Sequence, residues 1–146
     1  MSASNPSFGF IGDASKPVTE QDFLLQIPKG VQSTTDLFSH YEERGDFPGY
    51  FGHNWDALLD CLRDFSWKTQ RRIVIAHDDL PLSNNEKELR IYLEILETAA
   101  KDWKEVREGP FAEAAEGMPY VEHELLIIFP VTAQPTIARV LGTEKK

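Results

Sequence analysis

Three aspartates and a histidine crowd one short stretch of this sequence: His53, Asp56, Asp60 and Asp64. If that stretch is helical, at about 100° per residue, the aspartates step by i+4 and lie within about 80° of one another, with His53 in the same sector. Such a group has three possible chemistries. It can be a solvated face, with Asp56 favoured by the positive first turn of a helix. It can offer one nitrogen and two oxygens, from His53, Asp56 and Asp60, to a divalent metal. It can also receive a partner's cations, because carboxylates pair bidentately with Arg. Like charges at i and i+4 cost about 0.2–0.5 kcal/mol per pair, and a helix built for stability alone would alternate signs there. Arg63 is the single cation that offers partial relief.

Immediately before the aspartates, residues 46–52 read Asp-Phe-Pro-Gly-Tyr-Phe-Gly, a turn-rich loop of three aromatics among two glycines and a proline. Phe47, Tyr50 and Phe51 displayed beside carboxylates would suit an interface, since aromatics bury large areas at little rotamer cost. Phe47 and Phe51 could equally cover the core and leave Tyr50 exposed. Other chemistries find less support. There is no HExxH, paired CxxC or phosphate-cradling glycine loop, and His77-Asp78 and His123-Glu124 read as strand ends. The single cysteine, Cys61, sits near the helix middle at the edge of its apolar stripe without an identifiable base, and reads as a small buried thiol.

The elements that must hold these residues follow from periodicity. Asn54 can cap a helix in which Trp55, Leu58, Leu59, Leu62 and Phe65 form an apolar stripe. An earlier helix, capped by Ser33, Thr34 or Thr35, runs to about Arg44 and stops at Gly45. A later one starts after Asn85 and keeps helical spacing through Leu89, Tyr92, Leu93, Leu96, Ala99, Ala100 and Trp103. Short apolar runs at 23–27, 72–76 and 124–129 predict three buried strands. Strands separated by helices favour an α/β fold with a parallel sheet. Residues 1–22 read as a loose arm with one possible docking point at Phe8, Phe10 and Ile11, and 23–130 as the domain. Within it, 105–122 form an acidic insertion with one helical turn near Ala112–Glu116, and 131–146 are a tail.

Composition bounds the function further. With 146 residues, 41% of them apolar, the chain is one domain's worth of globular protein, and 15 basic against 24 acidic residues give a net charge of −9. That balance disfavours direct nucleic-acid binding, which depends on Lys and Arg, and favours basic protein partners. No signal-like start and no apolar run near the ~20 residues of a membrane span occur, and a lone cysteine fits a reducing compartment, so a cytoplasmic protein is expected.

The run Phe47-Pro48-Gly49-Tyr50-Phe51-Gly52-His53-Asn54-Trp55-Asp56-Ala57-Leu58-Leu59-Asp60-Cys61-Leu62 resembles the central motif of the barstar family, intracellular inhibitors of barnase-like ribonucleases. The likeness extends more loosely from Phe23 to about Lys101 and over Glu124–Phe129. It implies a barstar-like fold, a three-stranded parallel sheet packed with helices, and a protein that is no enzyme and needs no cofactor. It implies insertion of the second helix into a ribonuclease active site. By position, Asp60 matches the aspartate that fills the enzyme's phosphate site, Asp56 a second acidic contact, and Tyr50 a tyrosine packed on the catalytic histidine. Gly52, Asn54 and Ala57 match the docking loop and helix start. Three positions depart: Phe51 replaces a frequent second tyrosine, Leu59 stands where barstar itself carries tryptophan, and Thr98 falls near a third acidic contact, with Glu94 and Glu97 close by. The expected function is immunity against a basic ribonuclease, and the alternative is an adaptor of the same fold for another basic protein.

Overall fold

In the computed structural model, residues 8–11, 20–49, 51–65, 67–108 and 123–142 are described, with backbone alone for 8–11 and 105–108. The three expected strands are present as β2 (Phe23–Ile27), β3 (Arg72–His77) and β4 (Glu124–Pro130). A fourth, β1 (Phe8–Ile11), comes from the segment read as a loose arm and pairs with β4. All pairings are parallel and the order is β1-β4-β3-β2. Central β3 justifies its Ile-Val-Ile centre, since Ile73, Val74 and Ile75 are all fully buried. Outer β2 is only half-buried, contrary to expectation, because an edge strand is covered on fewer sides and Leu24 stays 43% exposed.

The pleat sorts side chains by parity, so one face of the sheet aligns Phe23 with Ile73 and Leu125, then Leu25 with Ile75 and Ile127. These residues join the helices in one core. Helix α1 (Thr34–Arg44) begins where Ser33 Oγ accepts the Asp36 amide at 3.1 Å and ends at Gly45, whose amide donates to Tyr41 O. Gly45 has no space for a side chain: a Cβ would lie 2.7 Å from Tyr41 O and 2.8 Å from the Phe47 ring. Helix α2 (Trp55–Leu62) is shorter than its apolar stripe, for Phe65 is buried from a left-handed backbone at φ 44° beyond the helix end. Helix α3 (Glu86–Glu108) is capped by Asn85, whose Oδ1 accepts the Glu88 amide at 3.3 Å, and it takes up the first residues of the expected insertion. The remainder of that insertion, with the turn expected near Ala112–Glu116, lies outside the described residues.

Within the segment expected to be a tail, residues 131–142 form part of the fold. A 3-10 turn (Val131–Ala133) leads into α4 (Gln134–Gly142), which buries Ile137 and Val140 in the core and packs beside α3. Arg139 of α4 also reaches Glu86 at 3.0 Å.

A polar chain crosses the interior. His77 Nδ1 faces the carbonyl of Ile128 at 2.9 Å, and a carbonyl only accepts, so Nδ1 donates and neutral Nε2 accepts from the Tyr92 hydroxyl at 2.7 Å. Tyr41 then donates to Tyr92 at 2.7 Å, which fixes the direction of the whole chain. Burial pushes His77 from 6.5 down to about 4 and raises both tyrosines. Among the described residues no helix is long and apolar enough to cross a membrane.

Candidate functional site

Helix α2 is amphipathic in the manner the sequence suggests. Leu58, Cys61 and Leu62 are buried, Trp55, Ala57 and Leu59 are half-covered, and Asp56 and Asp60 are exposed one turn apart. Its start is tightly specified. Asn54 Oδ1 accepts the Ala57 amide at 2.8 Å, its Nδ2 donates to Gly52 O at 3.2 Å, and its own carbonyl accepts the Leu58 amide at 2.9 Å. Gly52 is exposed, and a Cβ there would come within 3.2 Å of Asn54 Nδ2, so its small size lets the cap side chain lie across it.

Two ties orient the helix against α3. The Trp55 indole donates to Glu88 Oε1 at 2.9 Å near the start, and Arg63 meets Asp102 at 3.1 Å past the end. Arg63 is thereby engaged by α3, which corrects the expectation that it relieves the aspartate face. Among the described residues neither Asp56 nor Asp60 forms an ion pair or side-chain hydrogen bond. Two carboxylates with like charge at i and i+4 are thus held outward and unneutralised.

The aromatic loop divides. Phe47 and Phe51 are each only 6% exposed, with ring centroids 5.0 Å apart edge to face, so both cover the core instead of standing beside the aspartates. Phe47 also packs edge-on against Phe65 and Trp67, and the Trp67 indole holds Gly45 O at 3.1 Å. Tyr50 lies outside the described residues.

His53 was expected with the aspartates, but the structure directs it elsewhere. Its backbone is left-handed at φ 55°, and Nε2 donates to Glu42 Oε1 on α1 at 2.7 Å. The ring lies 5.0 Å from that of Phe51. No group of three or more His, Cys, Asp or Glu able to hold a metal occurs among the described residues. The imidazole therefore serves the loop. The sequence signal for this was available: His is among the few non-glycine residues enriched in left-handed backbone, and it directly precedes a cap residue.

Cys61 is buried, and burial with the nearby Asp64 and Asp60 carboxylates pushes its thiol up to about 11, the reverse of what a nucleophile needs. Thr98, at the departing position on α3, is exposed, with Glu94 and Glu97 half-buried beside it.

A family model described as Barstar (barnase inhibitor) matches residues 22–115. No curated protein and no solved structure matches the chain.

Proposed function

The chain belongs to the barstar family, and from that premise we propose that it is a non-enzymatic, cytoplasmic inhibitor that blocks the active site of a basic, barnase-like ribonuclease. The observation that carries this reading is the pair Asp56 and Asp60, exposed one turn apart on a helix whose start is locked by Asn54. A ribonuclease must gather cationic side chains around the scissile phosphate, and a carboxylate presented on a rigid helix satisfies the same donors. In this reading Asp60 takes the phosphate's place and Asp56 pairs with a neighbouring cation. Gly52, Asn54 and Ala57 shape the approach, and Tyr50 supplies an aromatic contact. The net charge of −9 steers the encounter with a basic enzyme, an effect screened over about 10 Å at 0.1 M salt.

The test is RNA cleavage by a panel of barnase-like ribonucleases titrated with the wild type and with Asp60→Ala. Stoichiometric inhibition by the wild type is expected. Removing one partner of a buried charge pair costs about 3 kcal/mol or more, so Asp60→Ala should weaken inhibition by at least about a hundredfold. Equal inhibition by both proteins would refute the role of Asp60. No inhibition across the panel would shift the assignment to an adaptor for another basic protein.

A further inference from the structure

The loop between α1 and α2 is closed by a single residue that belongs to neither the loop nor the acidic face. Glu42, on α1, accepts the Phe47 amide with its backbone carbonyl at 3.1 Å and the His53 imidazole with its carboxylate at 2.7 Å. One residue thus grips both ends of the span 47–53. Between those grips the Phe51 amide donates to Pro48 O at 3.0 Å, and the Phe51 side chain is buried in the core.

His53 adopts a left-handed backbone that a non-glycine residue keeps only where the surroundings enforce it. Its surroundings supply that enforcement: Glu42 at Nε2, the Phe51 ring at 5.0 Å and the Phe38 ring at 6.3 Å. The next residue is Asn54, the cap on which the direction of α2 depends. An alternative backbone at His53 would change the angle at which the chain enters the helix, and with it the placement of Asp56 and Asp60.

We infer that Glu42 and His53 form a clasp, a pair of positioning residues that holds the two ends of this loop, at Phe47 and His53, and the start of α2 in the geometry the partner meets. The inference rests on the inhibitor reading for its consequence in binding, while the clasp itself has a readout that needs no partner. Glu42 and His53 side chains are 41% and 38% exposed, so the pair contributes little to global stability and its effect is local.

The experiment compares the wild type, Glu42→Ala, His53→Ala and the double variant by chymotrypsin cleavage after Phe51 under native conditions, by thermal melting, and by dissociation from a ribonuclease the wild type inhibits. Each single variant should speed loop cleavage by about fivefold, with the melting temperature nearly unchanged. The double variant should be no faster than either single one, because both break the same contact. Glu42→Gln, whose amide oxygen still accepts from His53 Nε2, should restore most of the protection. Dissociation should quicken by a similar factor in the clasp variants. Unchanged cleavage in both single variants, or multiplicative effects in the double variant, would overturn the clasp. Faster cleavage with unchanged dissociation would keep the clasp and overturn its role in presenting the acidic face. If the wild type inhibits no ribonuclease, the inhibitor reading fails by itself, and cleavage still decides the clasp.

Discussion

Lowering the pH should weaken this protein through His77. The ring is held neutral by its chain of hydrogen bonds, with Nδ1 spent on Ile128 O and Nε2 accepting from Tyr92, and burial lowers it from 6.5 to about 4. Above pH 6.5 it is neutral in both folded and unfolded chains, and the full stability is present. As the pH falls below that, the unfolded chain takes the proton first and the folded chain resists it until about pH 4. Stability therefore drops by up to about 1.4 kcal/mol per pH unit across that window, and the whole loss comes to about 3 kcal/mol. For a domain of marginal stability that is a large fraction of the total.

The assay is urea unfolding, followed by tryptophan fluorescence, in steps from about pH 7.5 to about pH 4.5. His77→Gln is the comparison. Its amide can donate to one side and accept from the other, at some packing cost against Phe129, whose ring stacks on His77 with centroids 4.0 Å apart. The variant should be less stable at neutral pH yet lose much less on acidification. Parallel stability curves for the two proteins from about pH 6.5 to about pH 4.5 would refute the reasoning, because every other titrating group is common to both.

Two further outcomes follow from packing. Gly45→Ala should destabilise by about 1–3 kcal/mol in the same assay, because the added carbon would overlap the Tyr41 carbonyl, which as backbone cannot turn aside. Ile137→Ala should cost about 2–5 kcal/mol, as expected for a residue in the main core; a change near zero would mean that α4 is dispensable.

The parts of this fold legible in the sequence are those where local and tertiary preferences agree. Ser33, Asn54 and Asn85 each mark a helix start with a side chain that does bond the expected amides, and the Ile73–Ile75 run occupies the centre of the sheet. The failures have identifiable causes. Phe8–Ile11 is four residues with a glycine among them, too short for a pattern, and it becomes a strand only by pairing with β4. Helix α4 was signalled by Pro135 in its first turn and by Ile137, Val140 and Leu141 at i, i+3 and i+4, a pattern easily lost in a short terminal segment. Periodicity continued α2 to Phe65 because that residue does face the core, but from a backbone no periodicity describes. At the site, the sequence identified the outward aspartates and the cap. It could not show that Phe47 and Phe51 turn inward or that His53 answers to Glu42, since these depend on α1, which only the fold brings near.

The position of β1 has a consequence for the order of assembly. Phe8 lies opposite Ile127, about 120 positions along the chain, and closing so long a loop as a first event would cost roughly 4 kcal/mol of chain entropy. Once β2, β3 and β4 are in place, only the residues between Ile11 and Phe23 remain to be closed, and the cost falls to about half. Of the four strands, the one earliest in the chain should therefore be the last to join the sheet. Until it does, the outer edge of β4 stands open, a row of amides and carbonyls that any extended chain could pair with. β1 would thus act as a late seal, and the time it takes to arrive would set how long the β4 edge stays open to intermolecular pairing.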